Sequence, residues 1–151
     1  MPQFSTSHRV KHSAADMFAL VGDVENYPRF VPLCQALKVR GRQTGADGRE
    51  VLVADMTVAY KVFRETFTSR VTLDRDKLLI LVEYLDGPFR RLENTWSFVD
   101  AGERACDVGF DISYEFRSAT LGALMGAMFD KAFRKFSKAF EARADEVYGG
   151  A

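Results

Sequence analysis

Hydrophobic residues along this chain follow two different periods, and the changes between them divide it into three parts. Residues 3–11 (QFSTSHRVK) alternate weakly and predict a first strand. Ser13-Ala14-Ala15-Asp16 predicts a helix start, with Ser13 as the cap and Asp16 near the positive helix end. Met17, Phe18, Leu20 and Val21 give that helix a buried face, and it is expected to stop near Gly22-Asp23. The stretch NYPRFVPLC, residues 26–34, follows; its two prolines interrupt any regular helix, so one or two broken helical turns are expected there.

From about Ala36 to Phe116 the period falls to two. Strands are predicted over 36–43, 49–60, 62–74, 78–85, 90–99 and 105–117, separated by turn sequences such as Thr44-Gly45-Ala46-Asp47-Gly48 and Asp86-Gly87-Pro88. The last strand alternates best, with Cys106, Val108, Phe110, Ile112, Tyr114 and Phe116 on one face. Short connections imply an antiparallel meander. From about Ser118 to Tyr148 the apolar residues return to helical spacing, giving a helix on the order of 45 Å long, enough to cross a whole sheet.

That order predicts one α+β domain over 1–151. A curved antiparallel sheet of six or seven strands wraps around the long C-terminal helix, and two short helices follow the first strand. Where a strongly twisted sheet closes on a helix, side chains need not fill the middle, and an apolar tunnel is expected.

Composition narrows the function. With 151 residues, 47% of them hydrophobic, the chain can bury a core without metals or disulfides. Its 13 phenylalanines supply large apolar area, to fill that core or to line a space for a ligand. Lys+Arg and Asp+Glu balance at 21 each, so no overall field draws the chain to nucleic acid, and DNA is not an expected partner. The start, MPQFSTSHRV, lacks the apolar run of a signal peptide, and the aliphatic run 78–82 is too short to span a bilayer, so a cytoplasmic protein is expected. Cys34 and Cys106 have the spacing of neither a zinc site nor a disulfide framework. His8 and His12 are expected to be exposed on one strand face; they make a poor metal site and sit in no motif that would activate a serine or cysteine nucleophile.

Residues 13–21 (SAADMFALV) and 23–34 (DVENYPRFVPLC), with Gly87-Pro88-Phe89-Arg90-Arg91-Leu92, Trp96-Ser97-Phe98 and the Phe-rich terminal helix, resemble the coenzyme Q-binding START-like family. Its members have the helix-grip fold, also described as polyketide cyclase/dehydrase-like or Bet v 1-like, and the similarity covers nearly the whole chain. Leu33 departs from the tryptophan of many relatives and removes an aromatic wall. The resemblance implies non-catalytic binding of a polyprenyl quinone, ubiquinone, in support of respiratory electron transport or of quinone biosynthesis and delivery. It implies no covalent cofactor, and a location in the cytoplasm or at the periphery of the inner membrane, with transient contact. It also implies an alternative, because the family includes bacterial ribosome association toxins whose partner is the large ribosomal subunit. A cyclase or dehydratase is a third reading, weakened by the scarcity of titratable groups on the predicted inner faces.

The candidate site residues fall in three groups. Pro28 and Pro32 fix a segment in which Tyr27, Phe30, Val31 and Leu33 form either an apolar lid or the packing of a helix–strand corner. Phe63, Glu65 and Phe67 share one strand face, and Leu92, Asn94 and Trp96 another. If those faces are concave, Asn94 or a protonated Glu65 can hydrogen-bond a quinone carbonyl, as can Arg91. On the terminal helix, Leu121, Met125, Met128 and Phe129 are tunnel wall or plain core. Lys131, Arg134, Lys135 and Lys138 form a basic strip, either a solvated face or a contact for lipid head groups or ribosomal RNA.

Overall fold

The computed structural model describes residues 3–60 and 63–149. The elements run β1 (Gln3–Val10), α1 (Ala14–Gly22), a 3-10 turn (Val24–Arg29), β2 (Cys34–Thr44), β3 (Glu50–Tyr60), β4 (Phe63–Asp74), β5 (Leu79–Asp86), β6 (Phe89–Asp100), β7 (Cys106–Phe116) and α2 (Ala119–Tyr148). Each predicted strand and helix lies within two residues of these bounds. Ser13 caps α1 by accepting from the Asp16 amide, and Ser118 caps α2 by accepting from the Leu121 amide.

Seven antiparallel strands form one sheet in the order β1-β7-β6-β5-β4-β3-β2. Five consecutive hairpins build β2 to β7, and β1 returns to pair with β7, leaving β1 and β2 as the two edges. Register shifts interrupt β2 at two places, β5 at Leu85 opposite Thr68/Ser69, and β6 at Phe89/Arg91. Such bulges bend a strand and deepen its twist, which lets the sheet curl around a helix. Gly87 is required at one turn: it has φ 143°, and a Cβ there would come within 2.6 Å of the Phe67 Cβ.

The helix α2 lies in the concave face. Phe133 meets Phe110 (ring centroids 5.9 Å apart), Phe129 meets Phe116 (5.4 Å) and Phe140 meets Trp96 (5.0 Å). One end of the interior is solid: Phe89 is fully buried among the rings of Phe67, Tyr84, Tyr114, Phe116 and Phe129. The opposite end is closed by α1, whose Phe18 stacks edge-on against Phe98. The middle is left for the site.

The histidines differ from expectation. β1 ends at Val10, so His12 leaves the strand and turns inward to 6% exposure, with Nε2 2.7 Å from Asp145 Oδ1. His8 Nε2 lies 3.1 Å from Glu141 Oε1. Two histidines four apart face two carboxylates four apart on the last turns of α2, a pairing that no local spacing announces. Among the described residues no cluster of three or more His, Cys, Asp or Glu could hold a metal.

Candidate functional site

Between sheet and helix lies a cavity of about 130 Å³. Its floor comes from alternate residues of the strands: Ala54 and Val58 on β3, Ser69 and Val71 on β4, Val82 on β5, Asn94 on β6. Val71, Val82, Asn94 and Ile112 stand in one register row from β4 to β7. Phe129, Phe133, Phe136 and Phe140 of α2 form the roof. The proline segment closes one side with Tyr27, Val31, Pro32 and Leu33.

A second space, a groove of about 360 Å³, runs outside the first between the proline segment and α2. Leu124, Ala127, Met128, Lys131 and Lys135 of α2 line it, with Tyr60 at the end of β3. Pro32, Leu33 and Ala132 line both spaces and so form the partition between them. The expected tunnel is thus a chamber and an outer groove separated by three residues.

Leu33 at that partition has φ 69°, a left-handed conformation that costs a bulky L-residue about 1–2 kcal/mol. Its carbonyl is held by the Ala59 amide, from which it accepts at 3.0 Å. The neighbouring Tyr27 is anchored too: its buried hydroxyl donates to the Val21 carbonyl, and burial pushes its pKa upward.

The chamber wall is apolar but for Ser69, Asn94 and the Tyr27 phenol. Asn94 Nδ2 donates to the Asp111 carbonyl at 2.8 Å. Ser69 is 5% exposed, and its Oγ has no hydrogen-bond partner among the described residues. The adjacent Thr68 contrasts with it, because Thr68 Oγ1 donates to Asp55 Oδ1 on the other face. No carboxylate, imidazole, thiol or amine of the described residues lines the chamber.

Of the residues singled out from the sequence, Tyr27, Val31, Leu33, Phe67, Leu92, Asn94, Trp96 and Phe129 line the chamber, and Met128 lines the groove. Four stand elsewhere. Phe30 turns its ring to Phe140 (5.1 Å) beneath the Arg143 guanidinium (5.5 Å), as corner packing. Glu65 shares the concave face with Phe67 but lies one pleat beyond the chamber, half-buried. Leu121 and Met125 lie one to two turns before Phe129, over the solid aromatic end, where Met125 is 1% exposed. The Phe63 side chain lies outside the described residues, and Arg91 is exposed on the convex face. Sequence reasoning missed Ser69, Ala132 and the β3 floor; the register of β3 with β4 places the strand residues at the chamber, and the seating of α2 against the proline segment places Ala132 there.

The basic strip divides. Lys131 and Lys135 flank the groove, whereas Arg134 is occupied by Asp130 (3.0 Å) and by the Phe4 ring (5.8 Å); Lys138 is exposed beyond them. No helix among the described residues is long and apolar enough to cross a membrane.

Comparison with known proteins agrees with this architecture. The family described as polyketide cyclase/dehydrase and lipid transport matches residues 10–141. The ribosome association toxin RatA of Escherichia coli K12 is 32% identical over 148 residues, covering 98% of this chain and 90% of that protein. The mitochondrial coenzyme Q-binding protein coq10 of Schizosaccharomyces pombe is 32% identical over 124 residues, covering 80% and 73%. In structure, the Zhui aromatase/cyclase of a Streptomyces species superposes with a TM-score of 0.84 over 99% of both chains at 16% identity, a likeness of fold. Family match and helix-grip architecture coincide, and the chain belongs to the polyketide cyclase/dehydrase and lipid transport family.

Proposed function

We propose that this protein binds a polyprenyl quinone without changing it chemically, holding the molecule away from water for respiration or quinone delivery. The observation that carries the reading is the apolar chamber that meets an outer groove at Pro32, Leu33 and Ala132. Such a pair of spaces suits a ligand with a compact end and a long apolar end. Each isoprene unit, at about 0.8 kcal/mol per buried CH₂-sized group, gains about 4 kcal/mol on leaving water. A bilayer offers the tail the same gain, so selectivity falls to the chamber and its partition. Lys131 and Lys135 beside the groove favour brief docking on anionic lipid, at about 1 kcal/mol per cation near such a surface. A lining without titratable groups other than Tyr27 favours binding over turnover.

The test is mass spectrometry of the organic extract of the purified protein. A quinone is expected from the unaltered chain and is expected to be lost from Met128→Arg and from Ala132→Phe, which obstruct the groove and the partition. A folded, unaltered protein that carries no isoprenoid and takes up none from quinone-loaded vesicles would sink the proposal.

A specific observation also favours a second reading, association with the large ribosomal subunit. RatA covers 98% of this chain against 80% for coq10 at the same 32% identity. The exposed Lys131, Lys135 and Lys138 on α2 supply a cationic face for RNA phosphates. In that case the chain sediments with large subunits at low salt and loses this on reversal of the three lysine charges, while Ala132→Phe has no effect.

A further inference from the structure

We infer that the quinone enters ring first: the chamber takes the ring, with Ser69 as its hydrogen-bonding contact, and the outer groove takes the tail. This rests on the quinone-binding reading above and adds an orientation to it.

Two observations carry it. The first is size. A cavity of ~150 Å³ accepts a benzene ring, so a chamber of about 130 Å³ has room for one six-membered ring or one isoprene unit and not for a chain of them. Small shifts of the flexible Met56 in the wall make room for ring substituents. The groove, at about 360 Å³, leaves room for several isoprene units.

The second is polarity. A tail has no polar atom, yet one chamber-lining residue is Ser69, whose Oγ is buried and unpartnered among the described residues. Ser69 keeps the regular alternation of β4 with Phe67 and Val71, which also line the chamber. A serine hydroxyl donates to a quinone carbonyl and accepts from a quinol hydroxyl, so it serves both redox states. Asn94 stands two strands away in the neighbouring row, that of Val71 and Val82, about 12 Å off by strand spacing and rise, on the far side of the same floor. A flat ring with an oxygen at each end fits between two such groups.

Trp96, the sole tryptophan of the chain, lines the chamber and reports the outcome, because quinones quench indole emission at contact. The probes are duroquinone, a fully substituted ring without a tail, and ubiquinone with two isoprene units; equilibrium dialysis measures binding independently of emission. Both are expected to quench Trp96 saturably, the tailed compound at least tenfold more tightly. Ser69→Ala is expected to weaken both about three- to tenfold while raising the melting temperature, since it removes an unpaired buried hydroxyl. Leu124→Arg in the groove is expected to weaken the tailed compound and leave duroquinone unchanged. If dialysis shows the tailed quinone bound while Trp96 emission and the Ser69→Ala affinity stay unaltered, the ring lies outside and the orientation is overturned, with the quinone reading intact. If neither compound binds by dialysis, that reading falls as well.

Discussion

Leu33 concentrates the chemistry of the site in one residue. Its left-handed backbone is strained, its side chain divides chamber from groove, and it stands where the resemblance leads one to expect tryptophan. Leu33→Trp is expected to narrow the partition and slow quinone release several-fold, measured by transfer to acceptor vesicles, with little change in fold. The two thiols act differently. Burial raises Cys34 and Cys106 to about 11, from an ordinary value near 9. A thiol that ionises more readily unfolded than folded contributes stability fully below about pH 9, and the contribution is lost as pH rises through about 11. Denaturation midpoints measured from pH 8 to pH 11 are therefore expected to fall, less so in Cys34→Ala. Both thiols are expected to resist iodoacetamide at pH 8 until the chain is unfolded.

At the scale of elements, α2 is fastened differently along its length. Its middle is gripped by aromatic rings, and its last turns by the histidine–carboxylate pairs to the end of β1. His12→Ala removes a buried imidazole and leaves Asp145 unpaired, and is expected to cost about 2 kcal/mol in urea denaturation. Loss of His8, half-exposed, is expected to cost well under 1 kcal/mol. Phe89→Ala opens a hole in the solid aromatic end and is expected to cost about 3–5 kcal/mol. The elements themselves were legible in sequence, because period-two alternation in β7, the serine caps and the Gly87-Pro88 turn are local properties. Side-chain facing on β6 and β7 was legible for the same reason. The inward turn of His12 was not, since it depends on a helix more than a hundred residues away.

For the whole molecule, any occupant of the chamber binds the folded state and not the unfolded chain. At a hundred times its dissociation constant a ligand adds about 2.7 kcal/mol of stability, which for a chain of this size is on the order of 5–10 °C in melting temperature. Thermal scans with two-isoprene ubiquinone are expected to show that rise, graded with concentration and absent in Ala132→Phe. A ribosome-directed role by itself predicts no shift with quinone, so the same scan bears on both readings.

Hydrophobic periodicity, with local turn and cap residues, determined six or seven strands, their approximate bounds, the helices and the apolar faces that had to meet, because each depends on neighbours a few residues apart. Tertiary structure decided how much of the middle stays unfilled, since that depends on bulge positions, strand register and the depth at which α2 lies, none of which is local. It divided the expected tunnel in two at Leu33, set Met125 into solid core with Leu121 half-buried against it, and brought Ser69, its hydroxyl unpartnered among the described residues, to the chamber floor. A sequence can say that a surface is oily; the space between two such surfaces exists only once they face each other.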